Sequence, residues 1–182
     1  MIKGGEILDK LIKKAINGDK DAFTNIILQM QNELYAISRT RLKKEEDIND
    51  AIQETILKAF KNIHKIQNPL FFKTWLIKIL INTCNSIYNK RKKYTISFDS
   101  KIFENTVESY NDDIMDVNNN LDFFLLIRDL TYEERLILTL YFYNKYTTKQ
   151  ISILLHINEN TVRTKISRAK LKLKNKYKEF DY

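Results

Sequence analysis

The chain has 182 residues with three glycines, one proline and one cysteine, and a net charge of +8 at neutral pH. A single cysteine excludes an intramolecular disulfide and a four-cysteine zinc site, and so few Gly and Pro argue against an all-β fold, whose tight turns need them. No apolar run nears the roughly 20 residues that span a bilayer, and the N-terminus, MIKGGEILDK, lacks a signal-peptide core. A cytoplasmic protein without membrane insertion is expected.

Apolar residues recur at helical spacing almost throughout, so the predicted fold class is all-α. Ile7, Leu8, Leu11, Ile12, Ala15 and Ile16 form a first stripe, and Asn17-Gly18 signals its end. Phe23, Ile26, Ile27, Met30, Leu34 and Ile37 form a second. A third runs through Ile48, Ala51, Ile52, Ile56, Ala59, Phe60 and Ile63, with Asp47 near its start. The fourth opens at Asn68-Pro69, a cap followed by proline in the first turn, and continues through Phe72, Leu76, Ile79, Leu80 and Ile87 to the basic run Lys90-Arg91-Lys92-Lys93. These four stripes predict a compact helical domain over residues 1–94. Cys84, beside Ile81, Thr83 and Ile87, reads as a small buried filler rather than a reactive thiol.

Over residues 95–121 the periodicity fades and acids, Ser and Asn take over. That is the composition of a flexible linker, although Ile96, Phe98, Ile102 and Phe103 offer local docking points. Charge follows the same division. Residues 1–94 carry +8, residues 95–122 carry −6 and residues 123–182 carry +6. Two basic modules flanking an acidic bridge point to a polyanionic partner.

Helical signals resume at Leu121 and define a second domain over residues 122–182. Thr131 with Glu134 matches a capping box, heading a helix through Leu136, Leu140 and Tyr143. Thr147 with Gln150 repeats that spacing ahead of Ile151, Ile153, Leu154 and Leu155. After a break at His156-Ile157-Asn158, a last helix starts near Glu159 with Val162, Ile166, Ala169 and Leu173 on one face. Helix, three-residue turn and a second helix rich in Thr, Arg and Lys is the layout of a DNA-reading helix-turn-helix. Asn160, Thr161, Arg163, Thr164, Lys165, Ser167 and Arg168 are left outside, where short polar groups meet base edges and cations meet phosphate or guanine. Amides at the helix start also favour phosphate. Lys170, Lys172, Lys174, Lys176 and Lys178 alternate around the helix, as a diffuse electrostatic contribution would. His156 stands where glycine would tolerate positive φ better.

The stretch Tyr146 to Leu173 resembles the C-terminal domain of extracytoplasmic-function sigma factors, with Thr161-Val162-Arg163-Thr164-Lys165 and Arg168-Ala169-Lys170 matching the recognition-helix pattern. Glu46 to Phe60 resembles that family's polymerase-docking helix, and Phe72 to Asn82, followed by the basic run, resembles the helix and loop that engage the −10 element. Gln150, Ser152, His156 and Ile81 depart from the common pattern. The resemblance implies that Asp47, Asp50, Gln53 and Glu54 face the polymerase β′ clamp helices. It places Trp75 and Asn82 near the melted −10 strand, where an extruded base needs a stacking surface. Arg91, Lys92 and Lys93 would then contact promoter phosphates. Simpler readings stay open for each: a solvated acidic face, a core tryptophan, a local asparagine cap, a solvated basic turn.

The function implied is that of an alternative sigma factor directing promoter recognition and opening at the −10 and −35 elements. Its partners would be core RNA polymerase (β′ clamp helices and β flap), promoter DNA and an anti-sigma factor. A conventional helix-turn-helix regulator, binding duplex DNA as a dimer without polymerase, is the competing reading. No enzyme is expected: His64 and His156 have no nucleophile or metal partner at ligand spacing, and no glycine-rich phosphate loop occurs, so neither cofactor nor metal is called for.

Overall fold

Gly4–Ile16 (α1), Lys20–Arg39 (α2), Glu45–Asn62 (α3) and Phe72–Phe98 (α4) are the first four helices, and their boundaries follow local chemistry. They belong to a computed structural model that describes residues 4–98 and 120–178, with side chains over 7–93 and 123–176. Residues 99–119, most of the expected linker including Ile102 and Phe103, lie outside the described residues. Two compact units result, Met1–Thr95 and Ile96–Tyr182. Among the described residues every regular element is helical, so the fold is all-α.

In the first unit, α1 stops at Gly18, whose φ of 97° belongs to the left-handed region that glycine adopts without penalty. Asp19 then caps α2, its carboxylate accepting from the Ala22 amide at 2.9 Å. Asn68 accepts from the Leu70 amide at 3.0 Å, but the turn it caps, Pro69–Phe71, is a 3₁₀ turn that leads into α4. Burial gathers Ile26, Met30, Leu34, Ile37, Ile48, Phe72, Leu76, Ile77 and Leu80 into one core. Cys84 fills a gap in it, its thiol pushed up to about 11 by burial. Phe60, counted in the third apolar stripe, is instead 45% exposed, with its ring edge-on to Phe23 at 5.3 Å. The basic run lies within α4 rather than in a turn, because the sequence offers no Pro or Gly to end the helix there.

In the second unit the helices are short: Asn120–Ile127 (α5), Tyr132–Leu138 (α6), Thr148–Leu155 (α7) and then the long Glu159–Lys178 (α8). Both capping boxes form, with Thr131 and Glu134 heading α6 and Thr147 and Gln150 heading α7. Where a continuous helix through Tyr143 was expected, residues 139–143 widen into a π turn. It leaves the chain at Lys145, whose φ is 62°, and Tyr143 stays against Phe123 and Phe124 with ring centroids 6.1 Å and 5.6 Å away. The core is Ile127, Leu136, Ile137, Leu138, Leu140, Ile151, Leu154, Val162, Ile166 and Ala169. Leu173, expected to join it, is only half-buried.

Candidate nucleic-acid interface

Thr148–Leu155 and Glu159–Lys178 form a helix-turn-helix whose joint is His156, Ile157 and Asn158. His156 takes the left-handed conformation, φ 53° and ψ 42°, and its amide bonds the Ser152 carbonyl; Ile157 also donates to Ser152, at 3.1 Å. Asn158 is exposed, and its carboxamide oxygen accepts from the Asn160 amide at 2.8 Å, which caps the start of α8.

Burial of Val162, Ile166 and Ala169 turns the opposite face of α8 to solvent. Asn160, Thr161, Arg163, Thr164 and Arg168 are exposed along it. Thr164 also donates to the Asn160 carbonyl at 2.8 Å, which fixes its hydroxyl and leaves its lone pairs outward. Lys165 differs from the others in that face. It is half-buried, and its ammonium donates to Glu133 of α6 at 2.8 Å. Further along, Lys172 pairs with Glu134 and Lys176 with Asp129. Three of the lysines on α8 thus spend their charge on the unit's own acids, and the diffuse attraction expected of the tail is correspondingly smaller. Lys176 holds the Asp129 carboxyl below the usual carboxylate range. At Glu134 burial pushes upward, but the Lys172 ammonium and the Thr131 amide and hydroxyl outweigh it and the carboxyl ends low.

In the first unit Asp50, Gln53 and Glu54 lie together on the exposed side of α3, Glu54 paired with Lys58 at 2.7 Å. Asp47 is not among them. It is 6% exposed and accepts from Arg91 of α4, so one member of the expected acidic face and one of the expected phosphate contacts bond to each other. Leu57 and Phe60, 59% and 45% exposed, continue the Asp50 face and were missed as surface residues. The signal was available, since Leu57 falls seven residues after Asp50 and off the buried stripe.

On α4, Trp75 is half-buried, its ring 6.0 Å from that of Phe72, while Asn82, two turns on, is exposed. Lys92 and Lys93 are exposed beyond it. Leu70 and Phe71, 71% and 63% exposed in the turn before α4, also went unread in the sequence. Arg41 stacks over Tyr88 with 3.6 Å from guanidinium carbon to ring centroid, and Cys84 donates to Ser38, so α4 is fastened to the end of α2. Among the described residues no group of three or more His, Cys, Asp or Glu is placed to hold a metal. No helix among them is long and apolar enough to cross a membrane.

Comparison with known proteins matches both units. The model of sigma-70 region 2 fits residues 26–94, and that of sigma-70 region 4 fits residues 122–173. Sigma factor SigV of Bacillus subtilis is 28% identical over 150 residues, 82% of this chain and 87% of that one. The extracytoplasmic-function factor SigW of the same organism is 24% identical, over 95% of this chain and 98% of its own. Two solved structures share the fold: CnrH in complex with the cytosolic domain of CnrY, at TM-score 0.68, 18% identity and 96% and 98% coverage. The other is the sigma factor RpoE with the anti-sigma factor NepR from Bartonella quintana, at 0.69, 20% identity and 86% and 96% coverage.

Proposed function

The chain belongs to the extracytoplasmic-function group of the sigma-70 family, and we propose that its two units divide promoter recognition between the exposed faces just described. As an alternative sigma factor it binds core RNA polymerase and promoter DNA. It works in the cytoplasm, where both are found, and carries no chemistry of its own. An anti-sigma factor is a fitting further partner, because CnrH and RpoE are each seen in complex with a protein of CnrY or NepR type.

The observation that carries the division is the separation of outward faces. Asn160, Thr161, Arg163, Thr164 and Arg168 stand outside α8 over a sealed apolar underside, which suits base and phosphate contact at the −35 duplex. Asp50, Gln53 and Glu54 form an acidic face that the exposed Leu57 borders one turn further on, which suits docking on the β′ clamp helices. Trp75 and Asn82 serve the opened −10 strand, and Lys92 and Lys93 its phosphates. Arg91 serves that strand less directly, because its guanidinium is shared with Asp47. Two readers tethered in one chain raise each other's effective concentration, which a lone helix-turn-helix regulator lacks.

Charge reversal at Asp50→Arg with Glu54→Arg tests the docking face. Both residues are exposed, so helicity should stay normal while affinity for core polymerase falls about tenfold or more, from lost and reversed charge contacts. Wild-type affinity in that variant would move the docking face elsewhere. Permanganate footprinting of promoter thymines with Asn82→Ala tests the −10 role: reactivity should fall on duplex promoter and largely return on a pre-melted bubble, where the few kcal/mol of unpairing are no longer required.

A further inference from the structure

Glu159 opens α8, and one oxygen of its carboxylate, Oε1, accepts from two side chains: the Thr148 hydroxyl at 2.6 Å and the Arg163 guanidinium at 2.8 Å. Thr148 is the first residue of α7. The carboxylate therefore ties the two helices of the helix-turn-helix together and fastens to that tie the arginine one turn further along α8. Bonds to an ionised carboxylate are roughly twice as strong as neutral ones. The Glu159 carboxyl is held below its usual range, first by the Thr148 hydroxyl and then by Arg163, with the Lys149 charge acting in the same direction.

Arg163 nonetheless leaves 65% of its side chain exposed, so several of its five donors still face outward. Two consequences follow for a duplex approaching α8. The guanidinium has surrendered rotamer freedom before binding, which lowers the cost of meeting a base edge in one geometry. The carboxylate beside it also offsets its charge, which weakens capture by backbone phosphate, the sequence-independent part of affinity.

We infer that Glu159 is a specificity-determining positioning residue: held by Thr148, it orients Arg163 toward a base edge and keeps that arginine from settling on the nearest phosphate. The inference deepens the reading of α8 as the helix that reads duplex DNA and rests on it. Neither Glu159 nor Thr148 needs to touch DNA.

The test uses the full chain with core RNA polymerase and a duplex library randomised across the −35 region, selected for binding and sequenced. Wild type, Glu159→Gln, Arg163→Ala and the double variant are compared, with binding to a fixed random-sequence duplex measured across salt concentrations. Glu159→Gln should lose selectivity at one base pair, from the roughly tenfold or more of an oriented arginine to about twofold or less, with the other positions kept. Its salt slope on the random duplex should steepen by up to about 0.9, one extra phosphate contact. Arg163→Ala should lose the same position, and adding Glu159→Gln to it should change nothing further, because the two act as one unit.

Unchanged selectivity and slope in Glu159→Gln, or losses that add in the double variant, would overturn the inference. A library from which the wild-type complex enriches no sequence would instead overturn the reading of α8, and the inference with it. Should Glu159→Gln fail to melt cooperatively, Thr148→Val removes one arm of the tie and should relax the same base pair to a smaller extent; no relaxation there counts against the proposal.

Discussion

The two units reach stability by different routes, and helix length explains why. The first packs helices of 13, 20, 18 and 27 residues around a broad core, whereas α5, α6 and α7 of the second have 8, 7 and 8. Helices shorter than about 12–15 residues are marginal in water. The second unit compensates at its surface: two capping boxes start α6 and α7, and Lys165, Lys172 and Lys176 clip α8 to Glu133, Glu134 and Asp129. The first unit's comparable tie between helices, Arg91 to Asp47, has its acid buried beneath it. A tie with a buried member is screened by salt less than the more exposed clips Lys165–Glu133 and Lys176–Asp129 are. The unit proposed to read the −35 duplex is therefore the one whose ties between helices are the more open to salt.

The comparison is broken most directly at Arg91. Arg91→Ala strands the Asp47 carboxylate in the interior and should cost about 3 kcal/mol. Asp47→Ala leaves a guanidinium that is already half in solvent and should cost about 1 kcal/mol. Denaturant unfolding read by Trp75 fluorescence, which belongs to the first unit, measures both. Equal costs would mean that burial of Asp47 does not set the strength of this tie.

Acid sharpens the contrast. Folding depresses the carboxyls of Asp129 and Glu134, Asp129 through Lys176 and Glu134 through Lys172 and Thr131 against an opposing effect of burial. Groups lowered by folding add stability above their unfolded values, near pH 4, and lose it as the pH falls through their folded ones. The melting temperature of the second unit should drop by a few degrees between about pH 6 and pH 3.5, and again on raising NaCl to about 1 M, where screening reaches about 3 Å. Calorimetry that shows the first unit losing more in both series would reverse the assignment.

The smallest effect belongs to the turn. A non-glycine residue in the left-handed region costs roughly 1 kcal/mol, part of which glycine gives back as unfolded-state entropy. His156→Gly should thus raise stability by about 0.5 kcal/mol and the second unit's melting temperature by about 2–4 °C. A decrease would show that the imidazole's own contacts outweigh the strain.

Much of this protein was legible from periodicity and caps, because both are local. The stripe from Ile48 to Ile63, the Gly18 stop, the Asn68 cap, the Thr131 and Thr147 boxes and the αL residue at His156 each depend on residues within about four positions. The exposed face of α8 followed from the same arithmetic, since burying Val162, Ile166 and Ala169 leaves Arg163 and Arg168 outside. Only the tertiary structure decided which charges are free. Asp47 and Arg91 are 44 residues apart, Lys165 and Glu133 are 32 apart, and Lys176 and Asp129 are 47 apart. A sequence pattern counts a charge without knowing its partner, and a partner that distant is fixed by how whole helices pack. The π turn at residues 139–143 came from packing as well, where one extra residue is accommodated so that Tyr143 stays against Phe123 and Phe124.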